Sequence, residues 1–105
     1  MSPVGVLAVD HEETGLRATR SLISAVPDFA LVSEARSAEE AVEAAVRLRP
    51  QLVLVRAGLP AIDGHETAQR LRELVPQAVV EVLPENGSTL TPAALRSLWG
   101  ERRSD

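Results

Sequence analysis

The sequence lacks several residue types, and each absence limits its chemistry. It contains no cysteine, so disulfide bridges and thiolate metal sites are excluded. Phe29 and Trp99 are its two aromatic residues, too few for the stacking platforms that hold single-stranded nucleic acid. It contains no lysine, and its formal net charge is -4, which disfavours binding to a phosphate backbone. We therefore expect no direct nucleic acid binding by this chain.

Long apolar runs are also absent. No run reaches the roughly 20 residues needed to span a bilayer, and the first residues lack the basic and apolar regions of a secretory signal. These absences predict a cytoplasmic protein that does not associate with a membrane. The 105 residues, 45% of them apolar, are enough for one domain with a modest core.

Short apolar runs alternate along the chain with segments of helical spacing. Because a run of four to eight apolar or β-branched residues is typical of a strand, we predict four strands. Their predicted ranges are Val4–Val9, Phe29–Ala35, Leu52–Val55 and Ala78–Leu83. Helices are predicted between them over 16–26, 37–49 and 67–75, and a last one begins at Pro92 and ends at Gly100. Residues 1–100 are thus expected to form the domain, and 101–105 a tail.

The strict alternation of strands and helices predicts an α/β fold with a mainly parallel sheet covered on both faces. In such sheets, ligands and chemistry lie at the carboxyl ends of the strands. Those ends carry Asp10 and His11 in the first strand unit, Glu34 and Ala35 in the second, Arg56 in the third, and Leu83 and Pro84 in the fourth. Any functional site is therefore expected among these residues.

Several segments, taken in order, resemble the response-regulator receiver domain. Residues 6–12 resemble its first strand, which ends in an acidic pair, and residues 49–56 resemble its third strand. Residues 59–64 match the proline and Asp-Gly loop that follows. Residues 93–96 are similar to the fourth helix of the subfamily fused to helix-turn-helix DNA-binding domains. The resemblance implies a flavodoxin-like (CheY-like) sheet of order 2-1-3-4, because the family's fifth strand and helix have no counterpart here.

The functional positions of that family are altered in this sequence. Arg56 stands where the family has its phosphoacceptor aspartate, and the acidic pair that holds Mg²⁺ reads Asp10-His11. Pro84 replaces the hydroxyl residue of the fourth strand, and the family's lysine has no equivalent. A guanidinium only donates hydrogen bonds and stays protonated, so it does not accept a phosphoryl group. The resemblance therefore implies a degenerate pseudo-receiver with no metal, no cofactor and no enzymatic activity.

Asp10 and Arg56 are predicted to lie on adjacent strands at one end of the sheet. We expect them to form an ion pair, with the guanidinium in the place of Mg²⁺, because an unpaired buried charge is costly. The alternative is that Arg56 extends to solvent without a partner. His11 is interpreted as a solvated or capping residue rather than a metal ligand, since His65 is the only other histidine.

Without a fifth strand, the fourth strand forms an open edge that favours pairing with another chain. The residues expected to contact a partner lie on this strand and on the last helix: Val79, Val80, Val82, Leu95, Leu98 and Trp99. Glu81, in the middle of the strand, is a candidate for protecting the edge. Trp99 has two interpretations, since it either marks an interface or folds back over the open edge of the monomer.

Three functions remain open on the sequence alone. The first is a signalling or transcription-regulating module that acts by phosphorylation-independent contact with a protein partner, most simply as a homodimer through the fourth strand and last helix. The second is a sensor in which Arg56 anchors an anionic small molecule at the strand ends. The third, an enzyme, has the least support because no nucleophile and base stand in a recognisable pattern.

Overall fold

The computed structural model describes residues 2–86 and 88–103. Strands and helices alternate along them as predicted. No helix in these two ranges is long and apolar enough to cross a membrane. The strands are β1 (Val4–Val9), β2 (Phe29–Ala35), β3 (Leu52–Arg56) and β4 (Val79–Leu83). The helices are α1 (Glu13–Ser24), α2 (Ala38–Leu48), α3 (Gly64–Leu74) and α4 (Pro92–Arg103).

The strands form one parallel sheet of order β2-β1-β3-β4, which confirms the predicted order. Val9 pairs with Val55, and Val55 with Val82, so β1, β3 and β4 end at the same level. β3 is buried at every position, as expected for a central strand covered on both faces. The register therefore brings the residues after these strands together at one edge of the sheet.

Side chains cap the starts of two helices, α2 and α3. The Ser37 hydroxyl accepts a hydrogen bond from the Glu40 amide at 3.2 Å, and the Glu40 carboxylate accepts one from the Arg36 amide at 2.9 Å. This is a capping box whose glutamate reaches one residue further back than the usual pattern. Asp63 caps α3 by accepting from the Glu66 amide at 2.9 Å. The loop between β3 and α3 therefore ends at Asp63, and the helix begins at Gly64.

The helices divide between the two faces of the sheet. α2 and α3 cover one face, where Leu7, Val53 and Leu71 are fully buried. α1 and α4 cover the other, where Leu52 and Leu95 are fully buried. Since α4 lies on the α1 side, the chain crosses to the opposite face after β4. The loop from β4 to α4 consequently passes over the carboxyl ends of the strands.

The predicted end of the last helix at Gly100 is wrong, because α4 continues to Arg103. Residues 101–103 of the expected tail are helical, and residues 104 and 105 lie outside the described residues, as does residue 1. A glycine inside a helix costs only about 1 kcal/mol. Packing of Trp99 on the core and an Arg102–Glu81 ion pair of 2.9 Å hold the last turn against β4.

Two of the expected partner-contacting residues have buried side chains in the monomer. Val80 is 2% exposed and packs into the α2/α3 side of the core, while Leu95 is fully buried on the α1/α4 side. Their side chains are covered because α3 and α4 pack on the sheet beneath them, and the prediction of a partner contact at these positions stays a prediction. Val79, Val82, Leu98 and Trp99 are half-buried.

Candidate functional site

The carboxyl ends of β1, β3 and β4 converge on two buried charges. Arg56 ends β3 and is 3% exposed, and Asp10 follows β1 and is 4% exposed. Arg56 pairs in register with Leu83 of β4, so Pro84 lies beside it. Of the strand-end residues identified in the sequence, the structure thus brings Asp10, Arg56 and Pro84 together. His11 is exposed at the rim of the same site, while Glu34 of β2 binds Arg20 on α1.

Arg56 and Asp10 form the ion pair expected from the sequence. The Nε of Arg56 lies 2.9 Å from Oδ2 of Asp10. Oδ1 of Asp10 accepts a hydrogen bond from the Glu12 amide at 3.1 Å, next to the start of α1. Arg56 does not extend to solvent, so that alternative is wrong. Each charge is buried with an opposite charge beside it, the arrangement that makes burial tolerable.

Arg56 also binds the loop that connects β4 to α4. Its Nη1 donates to the carbonyl oxygens of Pro84, at 2.7 Å, and Ser88, at 2.5 Å. Sequence reasoning did not find these acceptors, because a main-chain carbonyl leaves no trace in residue identity. The guanidinium therefore joins β1, β3 and the β4–α4 loop in a single cluster.

Two polar atoms near this cluster are buried without a hydrogen-bond partner among the described residues. One is Nη2 of Arg56 and the other is Oγ1 of Thr89, which follows Ser88. Buried donors normally have hydrogen-bond partners, so the unpaired guanidinium nitrogen lowers the stability of the site.

Two glycines allow α1 and α3 to pack close to Asp10 and Arg56. A Cβ at Gly15 of α1 would overlap the Asp10 carboxylate, and one at Gly64 of α3 would overlap the Arg56 carbonyl. Both helices therefore approach the strand ends more closely than a residue with a side chain would allow. Gly64 was noted in the sequence only as part of a turn, and Gly15 was not singled out at all.

The site does not fit the magnesium ion that the fold family implies. The Arg56 guanidinium lies against the one buried carboxylate, and the second acidic position is His11, whose Nδ1 is 3.8 Å from Oδ1 of Asp10. Mg²⁺ requires several oxygen ligands and is repelled by a fixed cation. Within 2–86 and 88–103, no group of three histidine or acidic residues is placed to hold a metal. His65 is exposed and lies in the first turn of α3.

Trp99 takes the second of its two predicted positions in part. It packs edge-to-face on Phe29, with ring centroids 6.4 Å apart and an angle of 77° between the planes. Trp99 therefore folds back onto its own domain, although it reaches the start of β2 rather than only the open edge. Its role at an interface stays a prediction.

Next to the site, an exposed network of charges joins α1 to β2 and the following loop. Glu13 contacts Arg36 at 2.7 Å and Arg20 at 3.5 Å, and Arg20 contacts Glu34 at 2.7 Å. The hydrogen bond from Arg36 is the largest cause that lowers the pKa of Glu13 below its ordinary value of 4.5, and Arg20 adds to it. The ionised form of Glu13 therefore favours the folded state.

We expect Glu13→Gln to be slightly less stable than the wild type at neutral pH, with the difference disappearing in acid. A carboxyl whose pKa is lowered by folding stabilises above its unfolded pKa, and this contribution is lost as the pH falls through the folded pKa. The effect is small because the pair is exposed and screened. Urea unfolding from pH 7 to pH 3 measures it. Glu43→Gln is the control, because Glu43 is exposed and forms no ion pair with any described residue. Equal curves of stability against pH for both variants would contradict the prediction.

Comparison with known proteins places this geometry in a family. Residues 6–96 match the family described as the response regulator receiver domain. The chain is 38% identical over 97 residues to protein-glutamate methylesterase/protein-glutamine glutaminase 4 of Myxococcus xanthus, covering 90% of this chain and 28% of that protein. It is 35% identical over 71 residues to the nitrate/nitrite response regulator NarL of Escherichia coli K12, covering 68% of this chain and 33% of NarL.

Solved structures share the fold at lower sequence identity. The signal receiver domain of an HD domain-containing protein from Pseudomonas fluorescens Pf-5 superposes with a TM-score of 0.79 at 21% identity, and all of both chains is covered. A chain of the CheX–CheY–BeF3–Mg²⁺ complex from Borrelia burgdorferi gives 0.82 at 16% identity, with 96% of this chain and 90% of that chain covered. The fold, the strand order and the family match agree: the chain belongs to the response-regulator receiver domain family.

Proposed function

We propose that this chain is an atypical receiver domain that acts by phosphorylation-independent contact with a protein partner. The observation that carries the proposal is the position of Arg56. One buried guanidinium stands at the end of β3, pairs with the remaining carboxylate Asp10, and binds two carbonyls of the β4–α4 loop. The residues that would supply phosphoryl-transfer chemistry are thus engaged in a structural cluster.

The chemistry of this cluster argues against transfer of a phosphoryl group. A guanidinium has no lone pair available for attack and stays charged at physiological pH. Asp10, the other buried group, has one oxygen on Arg56 and the other on the Glu12 amide. The nearest carboxylate is therefore occupied, and a cation lies where the metal would have to bind.

The same contacts fix the loop that leads to α4. A phosphorylation switch requires two arrangements whose balance the modification changes. Here the loop is held at Pro84 and Ser88 by a group that is always charged. Regulation, in this proposal, comes from association at the surface of β4 and α4 rather than from the strand ends. Self-association is the simplest form of such contact.

The relatives support a place in signal transduction or transcription regulation. NarL is named a response regulator, and the M. xanthus relative is named a methylesterase and glutaminase. The chain spans about a third or less of each protein. We propose that it shares their receiver function and not the methylesterase activity, and that it is not itself an enzyme.

The second candidate is a sensor of small anions. Nη2 of Arg56 has no hydrogen-bond partner in the part of the chain that the structure describes. This favours a sensor, because an anion or a water would satisfy that nitrogen. The 3% exposure of Arg56 opposes it, since a ligand would have to displace the β4–α4 loop. A thermal-shift series with acetate, phosphate and acidic metabolites separates the candidates, because only a specific ligand raises the melting temperature.

Incubation with a small phosphodonor and Mg²⁺ tests the main proposal. We expect the intact mass of the chain to stay unchanged while a receiver that retains its aspartate gains a phosphoryl group under the same conditions. A phosphoryl adduct on a carboxylate of this chain would overturn the proposal.

A further inference from the structure

Within residues 2–86 and 88–103, no strand lies beside the outer edge of β4, which presents unpaired main-chain groups. The amide of Val79 donates to Gln51, and the carbonyl of Leu83 accepts from Ala57, so positions 79, 81 and 83 face β3. In a parallel ladder the residues between them direct their N–H and C=O groups away from the neighbouring strand. The outward positions of β4 are therefore Val80 and Val82.

One of these outward groups is covered by a side chain. Nη2 of Arg72, on α3, donates to the carbonyl oxygen of Val80 at 2.9 Å. Within the described residues, the amide of Val80 and both main-chain groups of Val82 have no such partner. The edge of β4 thus has free main-chain donors and acceptors with which another strand can pair.

We propose that this edge pairs antiparallel with β4 of a second copy, about a two-fold axis at Val80. The inference rests on the proposed function, since it names the surface through which self-association occurs. An antiparallel pair about a two-fold axis uses the same residues twice and closes as a dimer. Pairing at Val80 exchanges two hydrogen bonds between the copies and makes one continuous sheet.

Charge selects this register. If the axis passed through Glu81, the two Glu81 side chains would stand directly opposite each other, and like charges there are destabilising. With the axis at Val80, Glu81 of each copy lies opposite Val79 of the other. Val79 and Arg102 line the same groove beside β4, so Arg102 is placed to receive Glu81 of the second copy. The dimer then contains two symmetrical Glu81–Arg102 pairs.

Arg72 regulates this pairing. Its bond to the Val80 carbonyl occupies the acceptor that the second copy would use. Since the ion pair of Glu81 with Arg102 is already made within one chain, exchange between the copies replaces it without loss of charge pairing. The monomer and the dimer therefore differ mainly in the donor to the Val80 carbonyl. In the monomer the donor is Arg72, and in the dimer it is the Val80 amide of the second copy. A short edge of this kind gives a weak dimer that depends on concentration.

The experiment exchanges the charges between copies. Glu81→Arg leaves two arginines on one chain, and Arg102→Glu leaves two glutamates on the other. We expect each variant alone to dimerise about tenfold more weakly than the wild type, and an equimolar mixture to recover dimers containing one copy of each. Analytical ultracentrifugation up to roughly 1 mM, where small contacts still assemble, gives the masses, and native mass spectrometry identifies the mixed dimer.

Arg72→Ala supplies a second measurement with a matched control. Removing the arginine frees the Val80 carbonyl, so we expect tighter dimerisation by about fivefold or more. Arg70→Ala, on the same helix but paired with Glu66, should leave the dimer unchanged. Circular dichroism confirms that each variant is folded before its mass is measured.

Three results would overturn the edge-pairing proposal. In the first, the wild type and Arg72→Ala both keep the monomer mass. In the second, the charge variants dimerise as the wild type does, which assigns the contact to another surface. In the third, the chain forms open assemblies instead of closing as a dimer. The phosphodonor experiment is independent of all three. A chain that stays monomeric and unmodified would refute the edge-pairing proposal alone. A dimer that accepts a phosphoryl group would refute the proposed function alone.

Discussion

Asp10→Asn should lower the free energy of unfolding by about 3 kcal/mol, because it leaves the buried guanidinium of Arg56 without a counter-charge. Arg56 is 3% exposed, and its Nε has Asp10 as its only charged partner within the described ranges. Asparagine has nearly the same shape, so Gly15 still accommodates it and the loss reports charge rather than packing. Urea unfolding at neutral pH measures the change. It is a large part of the total stability of a small domain.

A double-mutant cycle separates the pair from the burial of each residue. Arg56→Met removes the cation, and in the double variant neither charge remains to be desolvated. We expect Asp10→Asn with Arg56→Met to cost clearly less than the sum of the single changes. Asp63→Asn is the matched control, because asparagine caps a helix as well as aspartate does. Equal unfolding midpoints for Asp10→Asn and Asp63→Asn would mean that the buried pair contributes nothing to the stability of the native state.

The fold was largely predictable because its signals are periodic and local. The four apolar runs gave the strands, and β2 matches its predicted range at both ends. Ser37 marked the start of α2 because its side chain satisfies an amide there. The start of α3 was predicted at 67, whereas the helix begins at Gly64, where Asp63 caps it. The ion pair followed from topology, since residues after adjacent parallel strands meet at one edge. The strands and the first cap needed only residue identity and spacing, whereas the adjacency of β1 and β3 was implied by the resemblance to the receiver family.

The predictions that failed depend on the path of the chain after β4. Alternation alone does not state which face the last helix covers, so the burial of Leu95 under α4 was not foreseen. Gly100 was taken as a stop because glycine commonly ends helices, yet tertiary contacts of Trp99 and Arg102 outweigh that weak local preference. The carbonyls of Pro84 and Ser88 became ligands of Arg56 through the same crossing. Long-range packing, which no local pattern encodes, decided all three.

Restoring carboxylates at the strand ends should convert the site into one that binds magnesium. In Arg56→Asp with His11→Asp, three carboxylates at positions 10, 11 and 56 surround the space that the guanidinium vacates. We expect this variant to be destabilised in the presence of a chelator, because like charges meet in a poorly solvated place. Mg²⁺ should restore stability, by about 2.7 kcal/mol when its concentration is a hundred times the Kd. The wild type should show no response, since Arg56 holds Asp10, the only buried carboxylate within residues 2–86 and 88–103.

Screening by salt has to be separated from binding, because any cation weakens repulsion between carboxylates. K⁺ at matched ionic strength should leave the melting temperature of the charged variant well below its value in Mg²⁺. Arg56→Asn with His11→Asn has similar volume without the added charge, and we expect Mg²⁺ to leave it unaffected. If the charged variant melts at the same temperature in Mg²⁺ and in K⁺, the ends of β1 and β3 do not form an oxygen cage when the guanidinium is removed. The backbone around the site, and not the presence of arginine instead of aspartate at position 56, would then be the reason that the site does not bind metal.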